Sequence, residues 1–256
     1  PGGSEYNVQR YAEASLKLGH EVTVLAGSHL GNFNGIRVTS DTNVMHEYFD
    51  LCIVHGWTGG MQNFVIQNSM ILKCPLFYMI IKPDSREELK LALRRADYIG
   101  CATTQDIAFA TDAGHLNKII HIDYPIEYKH ILKTSDEIRE EFEITRPRLF
   151  ISVGGFAPHK GMTELVNAFE ELNDPNTELC LIGYDLNHPP PDVSNCKSRI
   201  VVYHLENQSN VYELMSAADL LIWNSYSGTE GYGLVLLEAM LYGCEWIARN
   251  DAAGLD

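Results

Sequence analysis

The chain has 256 residues and a mass of 28.8 kDa, and 45% of its residues are apolar against 21% charged. This mix is typical of a globular protein, and the length allows one large domain or two smaller ones. With 19 basic and 34 acidic residues the net charge is −15. That charge argues against duplex nucleic acid as the main ligand, because phosphate binding needs a basic surface. No apolar run reaches the roughly 20 residues that span a bilayer, and the start at Pro1 shows no signal-peptide pattern.

The first 147 residues alternate short β-branched runs with helical patterns. This alternation predicts a parallel sheet covered by helices on both faces. The predicted strands are His20–Ala26, Leu51–Val54, Leu76–Ile81, Tyr98–Ala102 and Ile119–Ile122. The predicted helices are Glu5–Leu18, Met61–Leu72, Ser85–Arg95 and Gln105–Ala113.

A polar stretch from Lys133 to Arg148 predicts a short amphipathic helix and a hinge, which Pro147 ends because proline cannot continue a helix. The alternation then restarts, so a second doubly wound domain is predicted over residues 148–256. Its predicted strands are Leu149–Val153, Glu178–Ile182, Arg199–Tyr203, Leu220–Trp223 and Trp246–Ala248. Its predicted helices are Gly161–Leu172, Gln208–Ala217 and Gly233–Tyr242, with a proline-rich loop at Asn187–Asp192.

The cysteines and histidines do not form metal-binding patterns. The six cysteines are scattered without a C-x-x-C pair, which predicts reduced, buried thiols in a cytosolic protein. The ten histidines contain no H-x-x-x-H pair and no D-x-D motif accompanies them, so no protein-held metal is predicted. The cysteines are Cys52, Cys74, Cys101, Cys180, Cys196 and Cys244.

Two segments of the second domain are candidates for ligand binding, because ligands bind beyond the carboxyl ends of strands in such sheets. In Val153–Gly161 (V-G-G-F-A-P-H-K-G) glycines allow close approach, and Lys160 brings a cation to a helix start, which suits phosphate. The alternative is an ordinary strand-to-helix turn with an exposed lysine. Residues 148–256 hold only 5 basic against 15 acidic residues, so each cation there matters.

The second segment is Ser227–Met240 (S-G-T-E-G-Y-G-L-V-L-L-E-A-M), where a helix starts near Gly233 and offers free N–H groups to an anion. Glu230 and Glu238 bracket that start, and carboxylates accept hydrogen bonds from hydroxyls. A ligand with hydroxyls on both sides of a phosphate fits this arrangement, such as a sugar joined to a ribose through a diphosphate. The alternative is that Glu230 caps the helix and Glu238 is a solvated or core-edge acid. A third segment, Pro1–Glu5 (P-G-G-S-E), precedes a helix with Ser4 as a possible cap, or is a flexible tail.

Together these segments resemble the family 4 (group 1) retaining glycosyltransferases, which have the two-domain GT-B fold. P-G-G-S-E followed by a helix and G-H-E-V is similar to the family's opening. V-G-G-F-A-P-H-K-G resembles V-G-R-L-x-P-x-K-G, and E-G-Y-G-L-V-L-L-E-A-M resembles the E-x7-E motif segment. The terminal W-I-A-R-N-D-A-A-G resembles V-I-A-S-x-x-G-G. Four such motifs in order, each at a strand-to-helix turn, make a strong likeness along most of the chain.

The resemblance implies a GT-B architecture of two doubly wound Rossmann-like domains with a cleft between them. Residues 1–147 would form the acceptor-side domain without its first strand. Residues 148–256 would form the nucleotide-sugar domain without its last helices, and the whole protein would be about 100 residues longer. The implied activity is metal-independent, hexosyltransferase-type transfer from a nucleotide-diphosphate sugar to an acceptor hydroxyl, with no cofactor. The implied location is cytoplasmic, with peripheral membrane contact as an option.

The resemblance also assigns roles to residues. Glu230 and Lys160 would be catalytic: Glu230 would hold the donor sugar and Lys160 the diphosphate. Glu238 would hold the ribose, and Tyr184 and Leu205 would lie near the base. The remaining donor-binding positions, at the phosphates, would be Gly2, Gly3, Gly154, Gly155, Gly231, Tyr232, Gly233 and Leu234.

Two departures from the family pattern stand out. Gly155 stands where the family has an arginine, which removes half of a cationic clamp. Either His159 or Arg249 would compensate for that charge, or the donor would sit differently. The family's strand-end histidine is replaced by Ile81, followed by Lys82. His55 is then a candidate for the acceptor side together with Lys82, or else a satisfied loop histidine.

Two alternatives to transfer stay open: a nucleotide-sugar-binding protein of this fold without transfer activity, or an epimerase or hydrolase on the same fold. The acceptor would be a carbohydrate, a lipid or a protein. A basic stripe, Arg86, Lys90 and Arg94, would serve a membrane or an anionic acceptor, or be a solvated helix face.

Overall fold

The computed structural model describes residues 3–55, 60–81, 87–126, 128–183, 187–204, 207–226 and 233–249, with backbone only for 3–5. The chain divides into two compact units, residues 1–125 and 126–255. Among the described residues, no helix has both the length and the apolarity needed to cross a membrane.

The first unit follows the predicted alternation of strands and helices. A four-stranded sheet of order β4-β5-β6-β7 is parallel throughout. Its core holds fully buried side chains such as Tyr78, Leu93 and Ile99. In chain order the elements are α1 (Gly3–Lys17), β1 (Thr23–Leu25), β2 (Gly31–Phe33), β3 (Ile36–Thr39), β4 (Cys52–His55), α2 (Gly60–Gln67), β5 (Leu76–Met79), α3 (Glu87–Arg95), β6 (Tyr98–Cys101), α4 (Thr104–Asp112) and β7 (Ile119–His121).

The sequence analysis did not anticipate the hairpin of β2 and β3 in this unit. The hairpin turns at Asn34 and Gly35, whose φ angles of 52° and 93° are the left-handed values that a tight hairpin turn needs. Strand β3 pairs in parallel with β1, so these three strands form a separate sheet of order β1-β3-β2. The Asn-Gly pair was the signal for it, but the exposed residues of β2 give no apolar alternation.

The second unit is a five-stranded parallel sheet of order β10-β9-β8-β11-β12. All seven residues of β9 are buried, as expected for a central strand covered on both faces. The elements are α5 (Ser135–Glu141), β8 (Arg148–Val153), α6 (Met162–Leu172), β9 (Thr177–Gly183), β10 (Arg199–His204), α7 (Gln208–Ala217), β11 (Leu220–Trp223), α8 (Leu234–Leu241) and β12 (Glu245–Ala248).

Helices pack on both faces of this second sheet. Leu179 and Leu181 of β9 join a cluster with α6, whereas Cys180 and Ile182 point into the cluster of α5, α7 and α8. This alternation confirms the predicted doubly wound α/β fold class. The segment before β8 packs here as well, because Ile138 and Phe142 belong to the second cluster, upstream of the domain boundary predicted at residue 147.

The thiols are largely shielded. Cys101, Cys180 and Cys244 are buried, and the other three are half-buried. Burial raises the pKa of Cys180 to about 12, because a thiolate is poorly solvated in an apolar interior.

Candidate functional site at the carboxyl ends of the second sheet

In the loop after β8, the side chain of Lys160 packs against the backbone of Gly154. A side-chain carbon built on Gly154 would lie 3.6 Å from Cδ and 3.9 Å from Nζ of Lys160. The Gly154 amide donates to the carbonyl of Ile182 at 2.9 Å. A short 3₁₀ turn, Pro158–Lys160, leads to Gly161 and then α6. The ammonium is therefore held against the end of β8, next to a helix start, where an anion is favoured.

Gly183, at the end of β9, allows the loop after β8 to pass very close to its backbone. A side-chain carbon there would lie 1.9 Å from the carbonyl oxygen of Gly154 and 3.3 Å from the ring of Phe156. Only glycine fits so close to another backbone segment. The sequence analysis did not single out Gly183, because nothing local distinguishes it from any glycine that ends a strand.

The loop after β11 is tied to the loop after β8 by two hydrogen bonds. The Asn224 side-chain amide donates to the carbonyl of Gly161 at 2.7 Å. The Tyr226 backbone amide donates to the carbonyl of His159 at 2.9 Å. Gly161 has a φ of 65°, and a side-chain carbon there would meet Asn224 Nδ2 at 2.5 Å. The two loops therefore form one rigid frame around Lys160.

Between these two anchors, Ser225 is 1% exposed. Its Oγ is buried without a hydrogen-bond partner among the described residues. A buried hydroxyl usually has a partner, and the part of the chain that the structure describes supplies none for this one.

Glu238 lies on α8, whose first residue is Leu234. The preceding Gly233 has a φ of 66°, and a side-chain carbon there would lie 2.6 Å from the Trp223 ring. Glu238 Oε1 accepts a hydrogen bond from the Tyr212 hydroxyl at 3.0 Å and a longer one from Gln208 Nε2 at 3.4 Å. Its carboxylate is thus bonded to two side chains of α7.

Arg249 follows β12 directly, and its guanidinium lies 5.0 Å from the centre of the Tyr226 ring. The Tyr226 hydroxyl donates to Glu164 Oε1 at 2.5 Å. That hydrogen bond lowers the pKa of Glu164, and the positive charge of Arg249 acts in the same direction. Arg249, Tyr226 and Glu164 therefore form a connected group beside the loop that carries Lys160.

The five cations of residues 148–256 divide between the two edges of the sheet. Arg148 and Arg199 are the first residues of β8 and β10, and Lys197 precedes β10, so all three belong to the amino edge. Lys160 and Arg249 follow β8 and β12 and belong to the carboxyl edge. The edge predicted to bind a ligand has these two cations.

In the first unit, His55 ends β4 and packs on α1, with its ring centre 6.0 Å from that of Tyr11. The Tyr11 hydroxyl donates to the carbonyl of Asp123 at 2.9 Å. Burial, with the charge of Asp123 adding to it, raises the pKa of Tyr11 to about 12. The ring nitrogens of His55 are buried, so this histidine is packed against a helix.

The predicted basic stripe on α3 is partly engaged in local contacts. Lys90 Nζ pairs with Glu87 at 2.8 Å, and that hydrogen bond lowers the pKa of Glu87. Lys118 Nζ donates to the carbonyl of Ala96 at 2.7 Å, just past the end of the helix. The pairing of Lys90 with Glu87 is typical of a solvated helix face, and Lys118 contacts the end of α3 from another element.

Several predicted site residues lie outside the described residues, and others are placed only in part. Gly3 is the first residue of α1, and Gly155 is half-buried in the loop after β8. The predicted site residues outside the described ranges are Gly2, Lys82, Tyr184, Leu205, Glu230, Gly231 and Tyr232. Arg86 of the predicted basic stripe also lies outside the described ranges.

Comparison with known structures identifies the fold. The HepE protein of Anabaena, solved with UDP-glucose, matches with a TM-score of 0.77 at 18% identity over 99% of this chain and 78% of that chain. WaaG, a glycosyltransferase involved in lipopolysaccharide biosynthesis, matches with a TM-score of 0.68 at 19% identity over 99% and 79%. Sucrose-phosphate synthase from Thermosynechococcus elongatus gives 0.72 at 17% identity over 100% and 77%. The fold is that of the GT-B glycosyltransferases.

The sequence adds a family match for the second half. Residues 134–256 match the family described as Glycosyl transferases group 1. No curated protein matches the sequence significantly. The matched region begins just before α5, and it contains every residue of the site described above.

Proposed function

We propose that this chain is a retaining glycosyltransferase of family 4 that transfers a sugar from a UDP-sugar to an acceptor hydroxyl. The observation that carries the proposal is the position of Lys160, packed across Gly154 in a loop that Asn224 and Tyr226 tie to the loop before α8. A cation beside two glycine-containing strand-to-helix turns suits a diphosphate. HepE was solved with UDP-glucose, which makes UDP-glucose the first donor to test.

In this proposal the second unit holds the donor. Lys160 and Arg249 bring positive charge to the diphosphate, and Glu238 accepts hydrogen bonds from the ribose hydroxyls. The predicted roles of Glu230 at the sugar and of Tyr184 and Leu205 at the base are part of the same proposal. Gly154, Gly155 and the start of α8 at Gly233 and Leu234 let the phosphates approach backbone amides.

The proposed reaction breaks the bond between the sugar's anomeric carbon and the diphosphate oxygen, and UDP leaves with the electron pair. The acceptor oxygen bonds to that carbon on the same face, and its proton passes to the leaving phosphate. The protein's contribution is positioning and stabilisation of the leaving group's charge. With cations in that role, no protein-held metal and no cofactor are required.

The first unit takes the acceptor side in this proposal, with His55 and Lys82 as its candidate residues. A cytoplasmic location, and peripheral contact with a membrane through the stripe on α3, belong to the proposal too. The acceptor class, a carbohydrate, a lipid or a protein, is for experiment to decide.

The test is turnover of UDP-glucose and other UDP-sugars by wild type, Lys160→Ala and Lys197→Ala. Loss of charge stabilisation at the leaving group should lower kcat in Lys160→Ala by about 10²–10³-fold. Lys197→Ala removes an equal charge from the amino edge of the same sheet, and it should turn over like wild type. Equal turnover in all three would exclude the phosphate role of Lys160.

The same assay decides between transfer and the alternative functions. Gly155, which stands where the family has an arginine, favours the nucleotide-sugar-binding alternative. Binding of UDP-sugar by calorimetry without any product would establish that alternative. A product in which the sugar is epimerised or released to water would establish the epimerase or hydrolase alternative.

A further inference from the structure

The carboxylate of Glu238 is anchored by two side chains of α7 that point at the same oxygen. Tyr212 and Gln208 are four residues apart and therefore lie on one face of the helix. Both donate to Oε1, at 3.0 Å and 3.4 Å respectively. Tyr212 is fully buried, so water cannot replace its hydroxyl as the donor.

The ring of Tyr212 is itself fixed on its other side. It stacks on Tyr242, with ring centres 4.8 Å apart and planes at 24°. Tyr242 is fixed in turn, because its hydroxyl accepts from the backbone amide of Lys129 at 3.0 Å and its ring stacks on Tyr128 at 5.6 Å. A buried, stacked tyrosine has little freedom to move its hydroxyl, so it defines where Oε1 lies.

We propose that Tyr212, assisted by Gln208, is a positioning residue that orients Glu238 and thereby sets the preference of the site for ribose over 2′-deoxyribose. The inference rests on the proposed function, in which Glu238 accepts hydrogen bonds from the ribose. Anchoring Oε1 fixes the torsion of the carboxylate, and with it the direction in which Oε2 accepts a hydrogen bond. A site built to bond a hydroxyl rejects the analogue that lacks it.

The test compares the affinities of UDP and 2′-deoxy-UDP by calorimetry. The wild type should prefer UDP by about 10-fold or more, as expected for a hydrogen bond to a charged group. Tyr212→Phe keeps the ring and removes the donor. It should weaken UDP binding by roughly 3–10-fold, leave 2′-deoxy-UDP binding nearly unchanged, and so reduce the preference.

The matched control is Tyr203→Phe. Tyr203 is in the same unit, and its hydroxyl donates to the backbone carbonyl of Phe142. Its loss should leave the ratio of the two affinities at the wild-type value. A general loosening of the unit would weaken both nucleotides together, and only reorientation of Glu238 changes the ratio. Gln208→Ala is the second variant, and its longer bond predicts a smaller change in the same direction.

The outcomes separate this inference from the function on which it rests. If Glu238→Gln abolishes the preference while Tyr212→Phe and Gln208→Ala keep it, the positioning role is wrong and the ribose role of Glu238 stands. If the wild type shows no preference, or Glu238→Gln keeps it, the ribose role in the proposed function fails. Should Tyr212→Phe not fold, the ratio in Gln208→Ala decides alone.

Discussion

The two edges of the sheet in the second unit use their cations in different ways. At the amino edge, Arg199 Nε pairs with Oε1 of the fully buried Glu178 at 3.2 Å, and Arg148 pairs with Asp174. At the carboxyl edge, Lys160 lies across a glycine and Arg249 lies over an aromatic ring. The amino-edge contacts described here are ion pairs, whereas these two carboxyl-edge contacts are not.

The difference separates cations that hold the fold together from the two cations to which we assign a phosphate-binding role in the proposed function. Glu178 is buried at the second residue of β9 and also accepts from the amide of Thr145 at 3.0 Å. A buried carboxylate needs such partners, so Arg199 there is structural. At the carboxyl edge the charge of Arg249 also acts on the carboxylate of Glu164, whose pKa it helps to lower. The contrast is therefore between cations held by ion pairs and cations packed against a glycine or an aromatic ring.

The substitution Gly183→Ala should disturb the carboxyl edge of the sheet most strongly. The added carbon would meet the Gly154 carbonyl oxygen at 1.9 Å, so β9 and the loop after β8 must separate. We expect a loss of about 3 kcal/mol in the free energy of unfolding, measured by urea denaturation, together with weaker UDP binding.

Gly27→Ala is the control, because a side-chain carbon at Gly27 would meet nothing within 4 Å. Its stability should stay within about 0.5 kcal/mol of wild type. Equal stability of the two variants would show that the close approach at Gly183 does not shape the carboxyl edge.

Two matched variants, Arg249→Gln and Arg199→Gln, compare the roles of an arginine at each edge of the sheet. Arg249→Gln should weaken UDP binding by about 10-fold in calorimetry, because a charge-assisted contact is lost. Its stability should change little. Arg199→Gln leaves Glu178 short of a partner and should cost about 2 kcal/mol of stability with the UDP affinity intact. Equal effects of both variants on UDP binding would remove the distinction between the edges.

The substitution Tyr226→Phe should change the melting temperature only slightly, by an amount that depends on pH. The hydrogen bond from Tyr226 lowers the pKa of Glu164 below its usual 4.5. The stabilisation is therefore present above that pH and is lost as the pH falls through the lowered pKa. The variant should melt about 1 °C below wild type at pH 7, and the gap should close in acid.

The carboxyl of Glu164, followed by NMR titration, gives a second readout of this contact. Its pKa should rise towards 4.5 in Tyr226→Phe. An unchanged pKa of Glu164 would contradict the hydrogen bond that the Tyr226 hydroxyl donates to it.

Much of the fold follows from local sequence pattern. The β-branched runs of the second unit predicted all five of its described strands. The hairpin at Asn34–Gly35 was missed because its strands are short and exposed. The hydrogen bond from Tyr212 to Glu238 joins residues 26 positions apart in the sequence. The close approach of Gly183 to Gly154 joins the ends of the neighbouring strands β9 and β8. No local propensity encodes such pairs, since only the packed sheet brings them together.

The hydrogen bonds that join the loops after β8 and β11 affect how the candidate site forms during folding. Asn224 and Gly161 are 63 residues apart in the chain, so closing this contact requires most of the second unit to be in place. Contacts of such long sequence separation form late, because loop-closure entropy opposes them until the strands have paired. We therefore expect the surroundings of Lys160 to fold and unfold together with β8 and β11.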